Sequence, residues 1–173
     1  MKYFIFSAVL FVAVGLTGCK KLIQFHMEYD NNITIPASTP VGVPFDIMTP
    51  ETTTNADQQA GNNGTAANLI TKISLGSLQL KILNPASGNF NFLKSVEIFL
   101  NATDLPEVRV AYDLDVPATG LTELPLTCTN ADLKDYLRKP AYSVRVKALT
   151  DEALDQDTEI NIHTKFDVDA GLF

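Results

Sequence analysis

Hydrophobic and polar side chains alternate with period two along most of this chain. Ile23, Phe25, Met27 and Tyr29 face one way while Gln24, His26 and Glu28 face the other, the pattern of a strand buried on one face. Asn31-Asn32 then reads as a turn and Ile33 to Pro36 as a short extended piece. Pro36, Pro40 and Pro44 confine the next stretch to irregular or edge structure, because proline cannot donate to a sheet ladder. Phe45 to Thr49 is a short strand closed by Pro50. Alternation returns at Leu78, Leu80 and Ile82, at Val96, Ile98 and Leu100, and at Val108, Val110 and Tyr112. It recurs at Leu124, Leu126 and Cys128, where Pro125 marks an edge strand, and at Tyr142, Val144, Val146 and Ala148. The last run is the most regular: Ile160, Ile162, Thr164, Phe166 and Val168 lie opposite Glu159, Asn161, His163, Lys165 and Asp167. A short polar loop joins strands 142–149 and 158–168. They are expected to pair as an antiparallel hairpin, with Val144, Val146, Ile162 and Phe166 directed into the core.

Two stretches break the pattern. Leu133, Tyr136 and Leu137 fall at helical spacing, with Asn130 placed to cap, Asp132 in the first turn and Pro140 as the stop, which predicts one short helix. Residues 51–67, ETTTNADQQAGNNGTAA, hold almost no large apolar side chain and read as a flexible loop, a binding loop, or an Ala-rich helix at the segment's end. Seven to nine short strands with turn signals between them and one short helix define an all-β protein, an antiparallel β-sandwich wet on its outer faces.

Leu78-Gln79-Leu80-Lys81-Ile82-Leu83-Asn84-Pro85, followed by a turn and another alternating strand, resembles the strand-Asn-Pro segment of the water-stress and hypersensitive-response (LEA14-like) sandwiches. The likeness covers about a quarter of the chain after its leader, and Ala86-Ser87 stands where that family usually has a second Asn. The resemblance implies an immunoglobulin-like topology.

The N-terminus follows other rules. Lys2 precedes an apolar run from Phe4 to Val14, too short for the ~20 residues of a membrane span and of the right length for a secretory signal. The run ends in Leu16-Thr17-Gly18-Cys19, an aliphatic residue and two small ones before a cysteine, which resembles the lipobox of bacterial lipoproteins. The resemblance implies cleavage before Cys19, a diacylglycerol thioether on its sulfur and usually an acyl chain, palmitate-like, on its new α-amine. It divides the chain into a signal peptide (1–18), a lipidated anchor and tether (19–21) and a sandwich domain (22–173). Two or more acyl chains make a stable membrane anchor.

Charge and cysteine usage narrow the function. The leader's only charge is Lys2, so the remaining chain carries 12 basic and 20 acidic residues, a net of −8 that disfavours nucleic-acid partners. Lys20 and Lys21 follow the anchor, either as attraction for anionic lipid headgroups or as a solubilising spacer. With Cys19 acylated, Cys128 has no partner for a disulfide; its alternation with Leu124 and Leu126 places it toward the core as a small hydrophobe. The two histidines, His26 and His163, lie on polar faces of the first and last strands; a metal site would need them to meet with Glu28 or Asp167. Asp151, Glu152, Asp155 and Asp157 form an acidic loop without the glycine and spacing of a calcium loop. Asn32-Ile33-Thr34, Asn63-Gly64-Thr65 and Asn101-Ala102-Thr103 match a glycosylation sequon by chance. No catalytic, cofactor or metal motif emerges. The expectation is a cell-envelope lipoprotein, a non-enzymatic binding or structural module on the periplasmic face of the outer membrane. It would meet an envelope protein or glycan through loops or an edge strand. The alternative is an accessory or solute-binding subunit of an envelope transport or assembly system.

Overall fold

The computed structural model describes residues 22–172; the leader and Cys19 lie outside the described residues. The chain forms an antiparallel sandwich of two sheets. The first has the order β1 (Ile23–Ile35), β10 (Thr158–Ala170), β4 (Ile70–Asn84), β7 (Glu123–Pro125). The second has the order β2 (Phe45–Met48), β9 (Ala141–Thr150), β5 (Leu93–Asn101), β6 (Val108–Asp113), β8 (Thr127–Cys128), and β3 (Thr52–Thr53) pairs with the start of β9. Two short helices, α1 (Ala56–Asn62) and α2 (Lys134–Leu137), cover one end.

Period-two patterning builds both layers. Every second residue of β1 from Phe25 to Ile35 is buried, and β10 buries Ile160, Ile162, Phe166 and Val168. Against them the second sheet turns in Tyr142, Val144, Val146, Val96, Ile98 and Leu100. Phe166 sits at the centre, its ring edge-on to Tyr29 and Tyr142 with centroids at 5.9 and 6.3 Å.

The structure corrects several sequence expectations. Strands 142–149 and 158–168 do not form a hairpin. β9 lies between β2 and β5 in one sheet, β10 lies between β1 and β4 in the other, and the loop crosses the sandwich. Their apolar faces meet across the core, so the inward assignment of Val144, Val146, Ile162 and Phe166 holds. Asn31-Asn32 is not a turn. β1 runs straight through it, with Asn31 inward and buried and Asn32 outward beside Asn161. The inward Asn31 accepts through Oδ1 from the Thr52 hydroxyl, which satisfies one end of a polar group at a core position, while its Nδ2 is buried without a partner. Helix α2 begins at Lys134 rather than beside Asn130, and Asp132 Oδ1 takes up the Lys134 amide at 3.0 Å. Residues 51–67, read as a flexible loop, hold β3 and α1, tied down by Tyr29 Oη donating to Thr54 O at 2.6 Å and by the buried Ala60 and Thr65. Residues 124–128 are split. β7 is the edge of the first sheet and β8 the edge of the second, so the alternating run changes layers in its middle.

Strand β4 begins eight residues before the regular alternation at Leu78. Its inward residues are Ile73 and Leu75, then Leu78 and Leu80, a change of phase that falls where the ladder to β10 slips between Lys165↔Ser77 and Phe166↔Leu75. Gly76 is the extra residue of this bulge, and the bulge returns both halves of the strand to the same face.

Candidate functional site

Four surface regions hold the side chains with chemical potential. The outer face of the first sheet carries a ladder between β1 and β10: Gln24↔Asp169, His26↔Asp167, Glu28↔Lys165, Asp30↔His163 and Asn32↔Asn161. Each histidine has its own carboxylate. His26 Nδ1 lies 2.8 Å from Asp167 and His163 Nδ1 lies 3.0 Å from Asp30. Glu28 faces Lys165 between them. Antiparallel register therefore places the two histidines four rungs apart, roughly 13 Å along the strand. It does not bring them together with Glu28 or Asp167 as a shared ligand set, and no group of three His, Cys, Asp or Glu that could hold a metal lies together among the described residues.

The outer face of the second sheet is built on Arg145. Its guanidinium is paired with both carboxylate oxygens of Glu107 and with Asp46, and it lies over the Phe99 ring, 4.2 Å from the centroid. The hydrogen bonds from Arg145 hold Glu107 below the usual carboxylate range. Glu97 is held down first by the Arg109 hydrogen bond and then by Lys147. This is a rigid, charge-matched sheet face with its cations already neutralised.

The end of the sandwich away from Leu22 gathers loops 36–44, 85–92, 114–122 and 151–157. Backbone and side-chain bonds lock them to one another: Ala37 N donates to Asp157 Oδ1 at 2.9 Å, Gly42 N to Thr150 O at 2.8 Å, and Phe90 N to Leu121 O at 2.8 Å. Asn91 Oδ1 accepts from Gly120 N at 2.8 Å. Between them lies a cleft of about 260 Å³ bordered by Ser87, Asn89, Asn91, Glu152, Asp155 and Gln156. The acidic loop is thus positioned on the cleft's rim. Asp157 is committed to the Ala37 amide, while Asp151, Glu152 and Asp155 are exposed. Val41 and Val43 stand exposed on loop 36–44 at the same end. The sequence flagged the carboxylates and missed Asn89 and Asn91, because their convergence depends on the crossing of chain between sheets.

Cys128 lies on β8 and packs against the core, as its alternation with Leu124 and Leu126 suggests, but it is only partly buried there. The inward–outward alternation runs on through the change of sheet at Leu126, and Cys128 is less covered because β8 is an edge strand. Burial pushes its thiol above the ordinary range, which disfavours the reactive thiolate.

At the opposite end, strand pairing brings Ile23, Ala170 and Ile70 together. Gly171 N donates to Leu69 O at 2.9 Å and the Thr65 hydroxyl to Gly171 O at 2.6 Å, which fixes Leu172 beside Leu69 and Leu22. The exposed Leu22 and Leu172 flank a hollow floored by Leu69 and Ile70. Cys19, the residue expected to carry lipid, lies outside the described residues, and no helix among the described residues is long and apolar enough to cross a membrane. No protein-family model matches the chain, and no curated protein matches it.

Proposed function

We propose that this protein is a membrane-anchored cell-envelope lipoprotein, acylated on Cys19, whose sandwich is a non-enzymatic binding or structural module on the periplasmic face of the outer membrane. The observation that carries the reading is Leu16-Thr17-Gly18-Cys19 at the end of the apolar run that follows Lys2. The position of the first strand supports it. β1 starts at Ile23, so the tether from Cys19 to Leu22 spans three residues, about 10 Å at full extension, and keeps the domain close to its membrane. Strands β1 and β10, 13 residues each, put the loop cluster with Asn89, Asn91, Glu152, Val41 and Val43 about 43 Å further out, where an envelope protein or glycan would meet it. Intact-mass analysis of protein extracted from its own membranes tests the anchor: a chain beginning at an acylated Cys19 is expected. A chain still beginning at Met1, or a free Cys19 sulfur in the membrane fraction, overturns it.

The second reading, a solute-binding accessory subunit, is favoured by an open hollow of about 620 Å³ between β1 and the turn at Pro50, bounded by Asp30, Asn32, Glu51, Thr52 and Asn161 with Leu83 and Pro50 as its apolar walls. A rise in melting temperature with a small polar solute, lost on Thr52→Val but kept on changes at Asn89, supports that reading over the first.

A further inference from the structure

We infer that the Leu22–Leu69–Leu172 end of the sandwich is a lipid-contacting foot, seated in the headgroup–acyl boundary of the membrane beneath it. The inference deepens the anchored-lipoprotein reading and rests on it for the proximity of the bilayer. Its own grounds are structural. Leu22 and Leu172 are 55% and 50% exposed, on two chain segments far apart in sequence that the β1–β10 pairing brings side by side. The hollow between them is bordered by Leu, Ile, Gly, Thr and Asn and contains no charged side chain. Four other concave sites among the described residues each contain at least one carboxylate. The uncharged one is the site that the tether reaches: Leu22 is both its wall and the third residue after Cys19.

The occupant follows from this placement. Acyl chains on Cys19 would lie within ~10 Å of the hollow, closer than any diffusing partner is held. An apolar face beside a lipid anchor is buried by sinking ~5–10 Å into the interface. Lys20 and Lys21, next to the anchor in sequence, would meet anionic headgroups, and exposed Lys72 follows Thr71 on the rim, opposite Asp169 in the ladder. The rim is stiff, since the Gly171–Leu69 and Thr65–Gly171 bonds fix the leucines in place, so contact at this end would also set the tilt of the whole sandwich.

The absence of tryptophan from the chain allows a direct test. Leu172→Trp and, as a control in the far loop, Ala153→Trp are each introduced into the full-length protein. Both proteins are extracted from membranes and reconstituted into phosphatidylcholine–phosphatidylglycerol vesicles with brominated acyl chains. The Leu172→Trp fluorescence should shift to the blue and fall by about half or more, as expected for a ring at the acyl boundary, while the Ala153→Trp signal is unchanged. Unquenched Leu172→Trp fluorescence in a protein that floats with the vesicles overturns the foot and leaves the anchor standing. A blue shift without quenching also overturns it, since the cover is then a second copy or another protein. If mass analysis finds Cys19 free of lipid, the anchor falls. Added vesicles then decide the foot alone: quenching upholds it and no quenching refutes it.

Discussion

The carboxylate of Asp167 fills the space that a side chain at position 76 would need. A Cβ on Gly76 would stand 2.5 Å from Asp167 Oδ2 and 2.8 Å from its Cγ. On its other side the same carboxylate meets His26 at 2.8 Å. Three adjacent strands are thereby coupled at one point: β4 gives up its side chain, β10 supplies the acid and β1 supplies the imidazole. The glycine also sits at the bulge that resets the phase of β4, so the local twist and the close approach have a common origin.

Gly76→Ala should therefore be destabilising for a reason that a second substitution removes. In the native sequence the new methyl forces the half-exposed Asp167 carboxylate to swing away and loosens its pairing with His26, with a cost of about 0.5–1 kcal/mol. With Asp167→Ala already present, the same change should be neutral or stabilise by about 0.4–1 kcal/mol, because alanine restricts the unfolded chain more than glycine does. Urea melts of the four proteins measure the coupling. Equal losses in both backgrounds would show that the backbone at position 76, rather than the acid, demands glycine.

Phe166 and His163 test the two faces of β10. Phe166 is fully buried against Tyr29 and Tyr142, and Phe166→Ala should cost about 3–5 kcal/mol. His163 points outward to Asp30, and His163→Ala should cost under about 0.5 kcal/mol. Denaturant melts decide it, and comparable losses would refute the division into a dry and a wet face.

These two positions are legible in the sequence, since alternation alone assigns a face. Alternation does not assign a neighbour. The seven residues 151–157 suit a hairpin loop or a crossing between layers, and the choice depends on β1 and β4 already occupying both edges of β10. Asn31 misleads because a polar residue at an inward position looks like a break; its acceptability depends on Thr52, which lies 21 residues away. β4 is half hidden because the bulge at Gly76 shifts its period. Residues 51–67 look unstructured because what they bury is small: Thr54, Ala60 and Thr65. Of the surface regions, the acidic loop is visible in the sequence, but the cleft beside it and the Leu22–Leu172 hollow are not, since the cleft exists only once β4 and β10 pair and the hollow only once β1 joins them.

Arg145 predicts a pH dependence. Its hydrogen bonds depress the Glu107 carboxyl in the folded state. A depressed carboxyl contributes stability above its unfolded pKa of about 4.3, and that contribution is lost as pH falls through the lower folded value. Arg145→Met should return Glu107 to the ordinary range and flatten the loss of stability below about pH 4.5, with a cost of about 1 kcal/mol at pH 7 for this partly exposed network. Glu97, held by Arg109 and Lys147, should still titrate low and serves as the internal control. Carboxyl-carbon NMR titration reads both groups. Ordinary titration of Glu107 in the native protein would contradict the assignment.

Tyr142 gives the opposite sign at the alkaline end. Its hydroxyl is buried and has no partner in hydrogen-bond geometry, and burial pushes its phenol up to about 12 although the Asn31 and Thr164 side chains pull it back. An unfolded tyrosine titrates near 10, so the stability this group contributes is complete below pH ~10 and is lost as pH rises toward the folded value. Tyr142→Phe removes both the unpartnered oxygen and the titration. At pH 7 it should be neutral or stabilise by about 1 kcal/mol, because an unpaired buried hydroxyl costs about 1–3 kcal/mol of desolvation. Between pH 10 and 11.5 the variant should lose stability less steeply than the native chain, with Tyr29 contributing to what slope is left. The neighbouring ring provides the contrast. Tyr29 Oη donates to Thr54 O at 2.6 Å, so Tyr29→Phe strands a buried carbonyl and should cost about 1–3 kcal/mol at pH 7. The two aromatic rings touch, with centroids 5.6 Å apart, and each substitution deletes a single oxygen from the same buried cluster. Urea melts at pH 7 and pH 10.5 separate them. A loss above about 1 kcal/mol for Tyr142→Phe at pH 7 would mean that its hydroxyl is bonded after all, with Asn31 as its partner.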